Sequence, residues 1–108
     1  MKISEVKIFP VNEDRLKAYV TITIDNCFVV RDLKIIQGPG GLFVAMPSKK
    51  RKDGQFRDIA HPLNQSTREL IEDMIFNAYE NELKLMGETL THLKRQKTPH
   101  SNSDYNDD

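Results

Sequence analysis

Apolar and polar residues alternate through the first half of the chain, which is the pattern of strands that bury one face. The alternation is cleanest over residues 16–24, where the apolar face consists of Leu16, Ala18, Val20, Ile22 and Ile24. Residues 2–9 form a shorter candidate strand, which should pair with 16–24 as a hairpin around a polar turn. The β-branched run 28–36 predicts a third strand.

Two shorter strands are predicted after a glycine-rich connection. Residues 37–41 contain three glycines and a proline, which is typical of a tight turn between strands. Residues 42–46 are then a short apolar strand that ends at Pro47. After a basic loop, residues 56–61 are the last strand candidate before Pro62.

The apolar period changes in the second half of the chain. Ser66 followed by Glu69 matches a capping box, and apolar residues then recur at helical spacing. They are Leu70, Ile71, Met74, Ile75, Ala78, Tyr79, Leu83 and Met86. This spacing predicts an amphipathic helix of about twenty residues that stops at Gly87. Leu90 and Leu93 could continue in a short second helix.

Strands followed by a helix predict an α+β fold. We expect an antiparallel sheet of four to five strands, followed by a long C-terminal amphipathic helix that covers one of its faces. The 108 residues suffice for one domain, which we place at 1–87, with 88–108 as a short helical extension and a tail. Because one helix leaves the sheet edges unprotected, we expect a homodimer.

The composition fits a small globular protein. At 38% hydrophobic and 30% charged residues, the chain can form a core if its polar residues cluster in loops and tails. One such cluster is the segment 98–108, here called the acidic tail, which has three aspartates and no lysine or arginine and is expected to be disordered. No segment approaches the roughly 20 apolar residues that a membrane helix needs, and no signal peptide is evident. We therefore expect a cytoplasmic protein with no membrane partner.

The sixteen basic and sixteen acidic residues cancel, but the two signs are segregated. Within 48–57, Asp53 is opposed by five bases: Lys49, Lys50, Arg51, Lys52 and Arg57. Asp53 and Gly54 are a turn pair, so these bases are expected at a hairpin tip, where cationic side chains can contact phosphates without desolvation. From charge alone, a merely solvated loop is an equally good interpretation.

Two further charged segments lie in the second half. Six acids oppose two bases over 68–88, so the helix is acidic. Lys94, Arg95 and Lys97 form a second basic cluster before the tail. This cluster could be another nucleic-acid contact, or it could complement the dipole at a helix C-terminus.

No motif indicates catalysis, a cofactor or a metal site. Asp58 and His61 are three positions apart on a predicted strand and should face opposite sides, and His92 and His100 are isolated from other ligands. The single Cys27 excludes an internal disulfide and a four-cysteine zinc site. We therefore expect a protein that is not an enzyme and that needs no cofactor.

Two motifs in the middle of the chain are specific enough to indicate a family. Residues 41–48 read GLFVAMPS, and residues 56–62 read FRDIAHP after the Asp53-Gly54 pair. Through these motifs the chain resembles the SpoVG family (stage V sporulation protein G). The resemblance implies a small bacterial cytosolic dimer with an antiparallel sheet and a C-terminal helix. It also implies a regulator that binds DNA and RNA and affects gene expression, sporulation and septation.

The resemblance extends to individual residues. The family's basic pair after the serine falls on Lys49 and Lys50, and its strand arginine falls on Arg57. Where family members often have Thr-Pro before Asp-Gly, this chain has Arg51 and Lys52, two extra charges that should strengthen backbone binding. The alternative function is a protein-interaction module of the cell-division (septation) machinery. In that case the acidic helix and tail would bind a division protein, and nucleic-acid affinity would be incidental.

Overall fold

The described part of the chain folds into a four-stranded antiparallel sheet, a separate two-stranded hairpin and one helix. The structure, a computed structural model, describes residues 1–11, 13–87 and 95. Its elements are β1 (Ile3–Pro10), β2 (Leu16–Ile24), β3 (Phe28–Gly38), β4 (Gly41–Ala45), β5 (Ser48–Lys50), β6 (Phe56–Asp58) and α1 (Gln65–Leu85). The α+β fold predicted from the sequence is confirmed.

The main sheet has the strand order β1-β2-β3-β4, so every strand pairs with its neighbour in sequence. β2 coincides with the predicted strand, and β3 runs two residues further than predicted. Asp25 and Asn26 join them with φ of 51° and 58°, which are the positive values that a tight hairpin turn requires. The period-two pattern therefore located the strands of this sheet well.

The helix α1 covers one face of the sheet, and the core lies between them. Cross-strand partners such as Val20 and Leu33, or Ile35 and Val44, are fully buried on this face. The helix contributes the buried apolar residues Ile71, Ile75, Phe76, Tyr79 and Leu83. Of the predicted helix face, Leu70 and Met86 are instead 41% and 54% exposed, because the buried stripe is centred on Ile71 and Ile75.

The two ends of α1 differ in how well the sequence predicted them. The predicted capping box at Ser66 is wrong, because the helix begins at Gln65 and Asn64 is its N-cap. The Asn64 Oδ1 atom accepts hydrogen bonds from the Thr67 backbone N–H at 2.8 Å and from the Ser66 hydroxyl at 2.9 Å. At the other end, Gly87 has φ of 78° and donates its N–H to the Lys84 carbonyl, which confirms it as the C-terminal stop.

The predicted last strand, 56–61, is too long. β6 ends at Asp58, and the following Ile59 N–H bonds to the Pro47 carbonyl at 2.8 Å, which closes the base of the hairpin. β5 and β6 form their own sheet, so the main sheet has four strands among the described residues. Because the strand ends before His61, strand alternation does not set the relative orientation of Asp58 and His61.

The predictions for Leu90, Leu93 and the acidic tail lie outside the described residues. In the part that is described, α1 is the one long helix, and it is not apolar enough to cross a membrane.

Candidate nucleic-acid interface

The five predicted cationic residues lie on one hairpin that follows β4 directly. β4 ends at Ala45, and the buried Met46 and Pro47 lead into β5. We call β5, its tip 51–55 and β6 together the basic hairpin. No residue from 48 to 61 is buried, so packing in the core does not determine the residue types of this hairpin.

Backbone hydrogen bonds fix the shape of the tip. The Arg51 N–H donates to the Gln55 carbonyl at 2.7 Å, and the Gly54 N–H donates to the Arg51 carbonyl at 3.0 Å. Gly54 has φ of 88°, which a side chain would strain. Asp53 Oδ1 accepts the Gln55 N–H at 2.9 Å, so the carboxylate of this acid supports the turn.

Two basic residues lie directly opposite each other across the strands of the hairpin. Lys49 is the register partner of Arg57, so both lie on one face. Like charges in such a pair destabilise a two-stranded sheet. The hairpin therefore concentrates positive charge at a cost in stability.

The lysines of the basic hairpin are available for contact with a ligand. Within the described part of the chain, no ion pair or hydrogen bond joins the side chains of Lys49, Lys50 or Lys52 to another group. Arg51 and Arg57 do take part in interactions within the protein. The side chains of four of the five residues are exposed, and that of Arg57 is half-buried. The structure thus brings all five predicted site residues together.

The hairpin also presents an exposed aromatic ring. Phe43 and Phe56 both lie outside the buried core. Phe43 is half-buried in β4, opposite Ile36, whereas Phe56 is 68% exposed and lies opposite Lys50. The hairpin therefore places an aromatic ring beside a cation, a combination that suits contact with an unpaired base.

A buried arginine of α1, whose burial the sequence did not predict, bonds to β4, the strand that precedes the basic hairpin. Arg68 is 6% exposed, and its Nη2 donates to the Val44 carbonyl in β4 at 3.1 Å. Its Nε lies 3.2 Å from Glu72 Oε2. Burial raises the pKa of the Glu72 carboxyl, although Arg68 opposes this effect. The sequence does contain one signal for this burial: Arg68 lies three residues before Ile71, on the apolar stripe of the helix.

Of the second basic cluster, Arg95 is within the described residues and Lys94 and Lys97 are not. The guanidinium of Arg95 lies 4.5 Å from the centroid of the Phe76 ring, and its Nη1 is 3.0 Å from Asp73 Oδ1. Its backbone forms a parallel bridge with Leu42 of β4. This arginine therefore attaches the chain beyond the helix to both α1 and β4.

The described residues contain no group of three or more His, Cys, Asp or Glu that could hold a metal ion. The ring of His61 is half-buried, with Nδ1 3.0 Å from the Pro62 carbonyl oxygen. An apolar groove of about 390 Å³ lies beside the start of α1 and is lined mainly by hydrocarbon, including Phe28, Leu63 and Ile71. This groove lacks a cluster of charged groups.

Comparison with known proteins identifies the family. A model of the SpoVG family matches residues 1–81. "Putative septation protein SpoVG" of Bdellovibrio bacteriovorus is 79% identical over 108 residues, which are 100% of this chain and 98% of that protein. The protein of the same name from Anaeromyxobacter sp. (strain K) is 64% identical over 87 residues, covering 81% of this chain and 86% of the relative. The one from Caldicellulosiruptor bescii is 52% identical over 81 residues, covering 74% and 92%. The chain therefore belongs to the SpoVG family, as its two central motifs indicated.

Proposed function

We propose that this protein is a bacterial regulator that binds the phosphate backbone of DNA or RNA through the basic hairpin. One observation carries the proposal: five cationic residues share an exposed hairpin while the carboxylate at its tip, Asp53, is bonded to the turn backbone. A phosphate that approaches this hairpin meets four exposed cations, and the three lysines among them have no partner among the described residues. Little desolvation opposes the contact, and release of counterions favours it.

The pair of like charges supports the same function. An anion bound between Lys49 and Arg57 would relieve the repulsion that these residues create across the strands. In a hairpin selected only for stability or solubility, an oppositely charged or polar partner would be favoured at one of these positions. The arrangement therefore fits a site completed by an anionic ligand.

The exposed Phe56 favours nucleic acids with unpaired bases. A ring beside Lys50 can stack on a base while the lysine contacts the adjoining phosphate. We propose that single-stranded segments use both contacts and that duplex DNA uses only the cations. Because relatives are named septation proteins, we further propose that the regulated processes include cell division and sporulation.

A second candidate function is a protein-interaction module of the septation machinery. The names of the relatives favour it, as do the exposed acids on α1, such as Glu69 and Asp73. On this hypothesis a basic division protein would bind the helix, and the basic hairpin would be dispensable. In either case we infer a cytoplasmic protein that acts by binding and not by catalysis, without a cofactor.

We also propose that the protein acts as a homodimer, so that two basic hairpins contact one nucleic acid. Among the described strands, β1 has no neighbour on its outer edge, and an unpaired edge invites association. Phe28 and Leu63, which line the apolar groove, are 63% and 78% exposed. A second copy would cover such surface, and light scattering should give about twice 12.5 kDa at micromolar concentration.

A charge-matched pair of variants tests the proposed function. The hairpin variant replaces Lys49, Lys50, Arg51 and Lys52 by Gln. The control replaces four exposed bases outside the hairpin by Gln: Lys2, Lys7, Arg31 and Lys84. Both variants lose the same formal charge, so an effect of net charge alone would be equal in the two.

Fluorescence anisotropy should be measured with labelled duplex DNA, single-stranded DNA and single-stranded RNA. We expect the hairpin variant to lose more than tenfold in affinity at moderate salt, since up to four phosphate contacts per chain disappear, and the control to lose much less. Equal losses in both variants would refute the hairpin as the site. Absence of saturable binding by the parent protein would favour the interaction module.

A further inference from the structure

The position of Arg95 shows where the chain beyond the helix is attached. Its ion pair with Asp73 and its stacking on Phe76 hold it against α1, and its bridge with Leu42 holds it beside β4. Three different contacts thus fix one point of the chain close to the strand from which the basic hairpin begins.

The direction of the chain at Arg95 determines which part of the protein lies ahead of it. The bridge between Leu42 and Arg95 is parallel, so at Arg95 the chain runs the same way as β4, towards the basic hairpin. Arg51 at the hairpin tip lies nine positions after Leu42, and Asp104 lies nine positions after Arg95. Nine extended residues span about 30 Å, so the acids of the tail can reach the tip.

The acidic tail and the basic hairpin carry opposite charges. The acidic tail carries Asp104, Asp107 and Asp108 and no lysine or arginine. The tip and adjoining strands carry five cations, of which the three lysines have no partner among the described residues. The tail also lies outside the region that the SpoVG family model matches, which ends at residue 81. A contact between tail and hairpin would therefore be an addition to the shared domain.

We propose that the acidic tail docks on the basic hairpin and competes with nucleic-acid phosphates for its cations. This proposal rests on the proposed function of the hairpin. Each aspartate stands in for one phosphate, and the attachment at Arg95 gives the tail a high effective concentration at the site. Single exposed ion pairs are weak, so a long polyanion displaces the tail, whereas short or poorly placed anions do not. The tail thereby restricts binding at the hairpin to polyanions that are long enough to displace it.

The first test replaces Arg95. The proposal predicts that this replacement raises the affinity for an oligonucleotide, whereas a simple net-charge effect predicts that it lowers the affinity. Arg95→Ala removes a positive charge, which on net charge alone lowers the affinity for an oligonucleotide. If Arg95 attaches the tail, the same substitution releases the tail and should raise the affinity about twofold or more at low salt. Arg95→Lys keeps the charge but loses the fork and stacking geometry, so it should also raise the affinity.

A chain ending at Lys97 provides the control background. Removing the tail should raise the affinity about three- to tenfold near 50 mM salt and have no effect near 1 M salt, where screening is nearly complete. In this shortened chain, Arg95→Ala should no longer raise the affinity. An increase that persists without the tail, or a decrease in the full chain, would overturn the proposal.

The second test detects docking without nucleic acid, so it remains decisive even if the proposed function fails. A nitroxide label at Asn106→Cys, in a Cys27→Ser background because Cys27 is exposed, should broaden the amide signals of residues 49–57. Asp104→Asn, Asp107→Asn and Asp108→Asn together should abolish the broadening. Unbroadened hairpin signals in the labelled parent would refute docking. Broadening in a protein that binds no oligonucleotide would support docking but would refute the proposed function and, with it, the competition.

Discussion

The four-stranded sheet places the fully buried Val20 and Leu33 opposite each other. The basic hairpin places the cations Lys49 and Arg57 opposite each other, and none of its own residues is buried. Both are antiparallel pairings. In the sheet, side-chain pairs stabilise the fold by removing apolar surface from water. In the hairpin, the paired side chains carry like charges, which disfavour such a pairing. The residues of the hairpin therefore fit the binding function proposed above better than a role in the core.

The largest expected effect tests the stability side of this comparison. Leu33→Ala should lower the free energy of unfolding by about 2–5 kcal/mol, because it leaves a cavity in the core of the sheet. Leu85→Ala, at a residue that is 82% exposed and outside the apolar groove, is the control and should change stability by less than about 0.5 kcal/mol. Urea unfolding of both variants measures the difference. Similar losses would show that the described core does not carry the stability.

A smaller effect tests the observed start of the helix. Asn64→Ala removes the side-chain acceptor of the Thr67 N–H and should cost about 1 kcal/mol. Ser66→Ala is the matched control, since the Ser66 hydroxyl donates to Asn64 and caps no backbone N–H in the structure. A greater loss from the serine variant, measured by urea unfolding, would restore the capping box predicted from the sequence.

The smallest expected effect on stability concerns the like-charge pair of the basic hairpin and tests the contrast with the sheet directly. Lys49→Glu converts the like-charge pair with Arg57 into an opposite-charge pair, so it should stabilise the protein by about 0.2–1 kcal/mol while weakening nucleic-acid binding. Lys50→Glu makes the same change in charge opposite Phe56, so it should weaken binding without the gain in stability. Thermal unfolding and anisotropy on the two variants test this. Equal stability of the two would show that the repulsion has no measurable cost.

Sequence patterns predicted the elements whose signals are local. The alternation over β2 and the four-residue spacing of Ile71, Ile75 and Tyr79 each reflect burial on one face, and Asp53-Gly54 is a turn pair whose geometry needs no distant contact. The five cations were found as a group because they are neighbours in the sequence as well as in the hairpin. These features follow from short-range physics.

The features that the sequence did not predict depend on residues that are distant in the chain. β6 ends at Asp58, where Ile59 bonds to Pro47, and the buried guanidinium of Arg68 has an acceptor in the Val44 carbonyl, 24 positions earlier. The role of Arg95 depends on contacts with α1 and β4 in the same way. The Ile59–Pro47 bond and the contacts of Arg95 leave no periodic pattern in the sequence. The helical spacing of Arg68 could indicate its burial, but not its acceptor in β4.

The salt dependence of binding to duplex DNA tests the central claim most directly. If the five cations of two hairpins contact phosphates, the slope of log K against log salt has a ceiling of about −9, since each phosphate contributes about −0.9. The variant in which Lys49, Lys50, Arg51 and Lys52 are Gln retains Arg57 alone, so the two hairpins of the proposed dimer should contribute no more than about −1.8 to this slope. We predict a slope several units shallower for this variant than for the parent. Unchanged affinity and an unchanged slope would contradict the account and leave the basic hairpin a solvated loop.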